Sequence, residues 1–243
     1  MSELEDEVGQ RLSVVAGGLR AEGVVDLLQA LHRDVWTQDL DRYEPGELGD
    51  TRRSLGFQAS ENLRELAVQR FREDRAWAIP GLEVKTPQGA LELMFRGARV
   101  RVMKAGPEHG RSPDWDRLDW GDGSARRLMA QRNSEELGGY WTHRVVGLFD
   151  DEVDDAAGVQ RVSDFILVWT GDMQEALTAG WLTVPVLGER PFMAQQLLWW
   201  DETPSPRGRG LSRPIAPDGD SFEDKPSAEA TLKLRPAVRE GDS

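Results

Sequence analysis

Glu83-x-Lys85 is one pair of residues in this chain whose types and spacing could do chemistry. A glutamate and a lysine two apart on a strand project to one face. There the carboxylate would hold a divalent cation and the lysine would stabilise charge on an attacking or leaving group, as in a metal-dependent nuclease. The solvated face of an amphipathic strand yields the same tripeptide with no chemistry attached. Such a site also wants an acidic residue on the preceding strand, and only Asp50 and Asp74, in a loop and a helix, come before it. His109 is the second candidate, as a metal ligand or general base, with Glu108, Arg111, Asp114 and Asp116 beside it in a loop bracketed by glycine and proline. No other histidine stands within ligand spacing: His32 follows an apolar helical stripe, and His143 sits between Thr142 and Arg144 in a strand-like run. The acidic run Asp150–Asp155 offers oxygen ligands but lacks the spacing of a calcium loop, and a solvated hairpin tip accounts for it.

A different chemistry is suggested by the stretch from Arg96 to Arg132, which carries nine Lys/Arg against five Asp/Glu in a chain of net charge −13. Arg99 and Arg101 lie on one element and Arg126 and Arg127 on the next, so four guanidinium groups could converge on one anion. Trp115 and Trp120 fall between them as stacking platforms, a combination suited to a phosphorylated ligand, a nucleotide or single-stranded nucleic acid. Internal ion pairs compete with this function, because Asp114, Asp116, Asp119 and Asp122 interleave with the tryptophans. Trp199-Trp200 points to a protein partner instead. Adjacent strand residues face opposite ways, so at least one of the two rings must leave the local core or be covered by something else.

Absences narrow the field. With no cysteine there are no disulfides, thiolate metal sites, iron–sulfur clusters or cysteine nucleophiles. Neither a phosphate-cradling glycine loop nor a Gly-x-Ser-x-Gly elbow occurs, so no cofactor and no metal are expected. No apolar run approaches the roughly 20 residues of a membrane helix, and the acidic start Met-Ser-Glu-Leu-Glu-Asp-Glu is unlike a secretory leader. The expected location is cytoplasmic. Only four of the thirty basic residues are lysine, a bias typical of a GC-rich prokaryotic genome.

At the amino end, Leu4, Val8, Leu12 and Val15 predict a helix that stops at Gly17-Gly18. Val24, Leu27, Leu28, Leu31 and Val35 predict a second. A loop over Asp39–Ser54 leads to a third carrying Leu63, Leu66, Ala67 and Phe71. After Pro80-Gly81 the period falls to two: Leu82 and Val84, then Leu91, Leu93 and Phe95, then Val100 and Val102, with turns at Pro87-Gln88-Gly89 and Arg96-Gly97. Ser124 caps a short helix to Leu137. Tyr140–Phe149 and Arg161–Thr170 then read as a hairpin around the acidic run, followed by strands Trp181–Leu187 and Phe192–Trp200.

The expected fold is α+β, with amino-terminal helices packed on a mainly antiparallel sheet of about six or seven strands. One domain spans 1–200, helical over 1–78 and sheet-rich over 79–200, and a proline-rich tail spans 201–243 with one alternating segment, Thr231–Arg235. The expected function is that of a non-enzymatic, acidic prokaryotic interaction module, antitoxin-, immunity- or accessory-like, which binds a protein partner through Trp199 and Trp200. The alternative is a phosphorylated-ligand or nucleic-acid binder, or a metal-dependent nuclease, using residues 96–132.

Overall fold

The computed structural model of the chain describes residues 3–105, 112–115, 118, 121, 123–146 and 157–202, with side chains for all of these except 139–146, 157 and 158. Leu4, Val8, Leu12, Val15 and Leu19 form the buried stripe of α1 (Glu3–Ala21). The helix runs through Gly17-Gly18 instead of stopping there, because burying Leu19 offsets the roughly 1 kcal/mol that each helical glycine costs. In α2 (Val24–Asp41), Val24, Leu28, Leu31, Val35 and Trp36 are buried, and the helix extends past Asp39 into the expected loop. Buried Asp39 accepts a 2.6 Å hydrogen bond from Asn62 of α3 (Arg52–Glu73), which ties the two helices together. A capping box opens α3: Ser54 N donates to Thr51 Oγ1 at 3.0 Å and Thr51 N to Ser54 Oγ at 2.9 Å.

Six strands follow in sheet order: β1 (Leu82–Lys85), β2 (Glu92–Phe95), β3 (Ala98–Lys104), β4 (Asp164–Gly171), β5 (Thr178–Pro185) and β6 (Phe192–Trp200). β1–β2–β3 is the antiparallel meander that the alternation predicts, and β4–β5–β6 is a second. They meet along one parallel pairing, β3 with β4, in which Arg99 lies opposite Asp164 and Lys104 opposite Trp169. A parallel pair needs a crossover, and α4 (Ala125–Val146) supplies it. This corrects the expected hairpin: residues 140–146 continue α4, and residues 147–149 lie outside the described residues. The β-branched and aromatic run Tyr-Trp-Thr-His-Arg-Val-Val has strand propensity, but such propensity yields to context, here a helix already under way. The acidic run 150–155 and residues 203–243, with Thr231–Arg235, also lie outside the described residues.

Side-chain alternation sorts the sheet into two faces. Phe165, Leu167 and Trp169 join the large core beneath α1, α2 and α3, whereas Ile166 and Val168 pack with Met103, Met129 and Ala130 beneath α4. β4 is thus covered on both faces, which explains its unbroken apolar run. The fold is α+β, with helices at the amino end and a mostly antiparallel sheet. No described helix is long and apolar enough to cross a membrane.

A polar network lies in the large core. Asp201, at the start of the proline-rich stretch, is buried and accepts hydrogen bonds from Gln29 Nε2 at 2.7 Å and from Thr178 N and Oγ1 at 2.8 Å each. Trp199 Nε1 donates to Thr178 Oγ1 at 3.1 Å. His32 is fully buried between the rings of Trp169 and Trp199, with centroids at 5.0 and 4.9 Å. Its Nδ1 lies 2.6 Å from the Leu28 carbonyl, which can only accept, so Nδ1 carries the proton. Nε2 has no partner among the described residues.

Burial pushes the His32 pKa down from 6.5 to about 4, against the opposing pull of the Leu28 carbonyl and Asp201. As pH falls through this window the unfolded chain takes up a proton that native His32 refuses. Stability is therefore full above pH 6.5 and falls by about 3 kcal/mol by pH 4. Denaturant titrations from pH 7 to 4 should show this loss in the parent and a shallower slope in His32→Phe. Equal slopes would refute the assignment.

Candidate functional site

The charged residues of the second sheet face are set by register. Glu92 of β2 lies opposite Arg101 of β3, and Arg99 opposite Asp164 of β4, so the four share the face that α4 covers. Arg101 Nη1 stands 3.5 Å from Glu92 Oε2. Arg99 is shared between Glu92 at 3.7 Å and Asp164 at 3.6 Å. From α4, Arg132 Nε donates to Asp164 Oδ2 at 2.6 Å, and Asn133 Nδ2 to the carbonyls of Asp164 and Pro185 at 2.8 and 2.9 Å. These bonds fasten the crossover helix to β4 and β5.

Arg126 is different. Its Nη1 lies 2.6 Å from Met103 Sδ, and no carboxylate among the described residues comes within ion-pair distance of it. Burial lowers its pKa below the usual arginine range, and the charge of Arg101 lowers it further. Arg101 is itself lowered by burial, opposed by Glu92 and reinforced by Arg99. Both guanidinium groups stay charged, so the shifts record two partly desolvated cations in mutual repulsion. Arg126 also occupies the first turn of α4, which contains no acidic residue, where the free N–H groups already make a positive end. Ser124 caps that turn as predicted, its Oγ accepting from Arg127 N at 3.2 Å.

Arg101 and Arg126 line a recess of about 340 Å³ together with Lys104, Ser124, Glu61 and Gln88. It opens at the carboxyl ends of the parallel pair β3–β4, where the chain departs toward α4. Crevices at such ends are where open sheets with crossover helices tend to hold ligands, and helix N-termini favour anions. Lys104 Nζ sits over the rings of Trp36 and Trp169, 4.7 and 5.0 Å from their centroids, so its ammonium is held by aromatic faces.

Of the residues singled out in the sequence, Arg101 and Arg126 meet in the recess. Arg99 is engaged by Glu92 and Asp164, and exposed Arg127 is outside the recess lining. Trp115 is elsewhere, its ring edge-on to Trp181 and Phe192 at 5.7 Å from each. Trp120 and His109 lie outside the described residues. Glu83 and Lys85 form an exposed 2.7 Å ion pair on edge strand β1, and no three described His, Asp or Glu side chains are grouped to hold a metal ion. Trp199 is buried against Gly180, while Trp200 is 42% exposed on the opposite face. Sequence reasoning missed Glu92, Asp164 and Glu61. The signal for Glu92 was its place between Leu91 and Leu93, which puts it on the same face as Arg101. Comparison with protein-family models, with curated proteins and with solved structures finds no match.

Proposed function

We propose that this protein is a non-enzymatic receptor for a small anion-bearing molecule, whose phosphate or carboxylate is held between Arg101, Arg126 and the start of α4. The observation that carries this proposal is Arg126, a partly desolvated guanidinium beside a second one, with no carboxylate near it among the described residues. Natural folds place such a cation where an anion completes it, since isolated buried charge is otherwise unfavourable. Binding rather than turnover is proposed because Glu83 and Lys85 neutralise each other outside the recess lining.

Inorganic phosphate is the simplest probe. Titration at constant ionic strength should raise the melting temperature saturably in the parent. In Arg126→Glu only the non-saturating salt effect common to phosphate and sulfate should remain. A saturable shift that survives the charge reversal would sink the proposal.

A second proposal, protein docking, is favoured by β6, the sheet edge opposite β1, which exposes Leu197 (43%) and Trp200 (42%). The Trp200 ring lies edge-on to Trp181 at 6.1 Å. A protein partner should be lost on Trp200→Ser and kept on Arg126→Glu; a partner indifferent to Trp200→Ser would rule this surface out.

A further inference from the structure

Resting on the anion proposal above, we infer that the ligand of the recess is a sugar phosphate, with its phosphate at Arg101 and Arg126 and its hydroxyls facing α3. A volume of about 340 Å³ falls in the roughly 300–1,000 Å³ range of small-molecule sites and leaves room beyond a single oxyanion. The two sides of this space differ in chemistry. Arg101 and Arg126 come from the sheet face beneath α4, while α3 and the Pro87–Gly89 turn bring Ser60, Glu61 and Gln88, with Lys104 of β3 held on the α3 side over Trp36 and Trp169.

That second wall is rich in acceptors. Glu61 places Oε1 3.0 Å from Arg64 Nη1 and Oε2 2.7 Å from Arg64 Nη2, a guanidinium it shares with Glu65, and lone pairs remain on both Glu61 oxygens. Ser60 Oγ donates its proton to the Gly56 carbonyl at 2.9 Å, which leaves the hydroxyl as an acceptor. An ammonium group would be repelled by Arg101, Arg126 and Lys104, which line the same recess. Hydroxyl donors match the wall without that penalty.

The turn is also held in place. Gln88 has φ 53, a left-handed conformation unfavourable for any residue but glycine, and Arg64 Nη1 donates to the next carbonyl, Gly89 O, at 2.9 Å. Strain of this kind, fixed by a neighbouring side chain, concentrates at ligand-contacting loops. Here it sets Gln88 into the recess lining.

The test is calorimetric titration of the full chain with inorganic phosphate, butyl phosphate and ribose 5-phosphate. Ribose 5-phosphate should bind about tenfold more tightly than the other two, the yield of one or two net hydrogen bonds. In Glu61→Gln this preference should shrink to about twofold or less. Arg64 keeps Glu65 and the Gly89 carbonyl in that variant, and its melting curve checks that the fold is retained. If butyl phosphate binds as tightly as ribose 5-phosphate, or if the preference survives Glu61→Gln, the sugar inference is overturned while the anion site stands. If none of the three binds, the anion site itself is refuted.

Discussion

Arg126→Met is expected to abolish stabilisation by phosphate while leaving the ligand-free protein as stable as the parent or slightly more so. Most substitutions of a half-buried residue destabilise, and Arg126 is an exception for three reasons. It has no carboxylate to lose among the described residues, it is repelled by Arg101, and it sits at the positive end of α4. A flexible apolar side chain keeps the packing against Met103 and removes the repulsion, a gain of up to about 1 kcal/mol. Phosphate at a hundred times its dissociation constant should stabilise the parent by about 2.7 kcal/mol. For a chain of this size that is a rise of about 5–11 °C in melting temperature. The variant should show none of the saturable part. A ligand-free Arg126→Met more than about 1 kcal/mol less stable than the parent would mean that Arg126 serves the fold, not a ligand.

Gly180→Ala is expected to be among the most destabilising single substitutions in the protein. A Cβ at this position would lie 2.2–2.4 Å from three carbons of the Trp199 ring, well inside contact distance. The ring cannot swing away cheaply, since Trp199 Nε1 is bonded to Thr178 and His32 packs against its face. Overpacking with no route for relaxation costs about 3 kcal/mol, or roughly 6–12 °C in melting temperature. The diagnostic is a double-mutant cycle. Trp199→Leu should be costly alone yet recover part of the loss when combined with Gly180→Ala, because the clash has gone. Additive losses would place the cost in the backbone rather than in the ring. Gly171 stands in the same relation to Trp36, with a Cβ 2.3 Å from its ring.

How much of this was legible varies by element. The stripes of α1, α2 and α3 and the alternation of β1 to β3 were plain because each is a local period fixed by one buried face. Tyr140–Val146 misled because its residue types favour strands, while its helical state depends on the crossover between β3 and β4, a partnership invisible in local sequence. The sequence shows that Arg99, Arg101, Arg126 and Arg127 could converge, but not which of them would be satisfied by carboxylates. Arg99 is engaged through Glu92 and Asp164, and the latter reaches it only through the parallel register. Glu61 and Gln88 were hidden for the same reason: they come from α3 and a turn, brought to the recess by tertiary packing.

The division of the sheet into two meanders has a kinetic consequence. Within each meander strands pair with their sequence neighbours, whereas the β3–β4 pairing joins Arg99 to Asp164 across the whole crossover. Local pairings form fast, and the long loop closure is the slow event. The recess needs α3, α4 and the Pro87–Gly89 turn docked around that pairing, so an anion seated there is held chiefly by the finished native state. It should slow unfolding and leave the folding rate almost unchanged. The anion-bound protein would differ from the empty one chiefly in its lifetime.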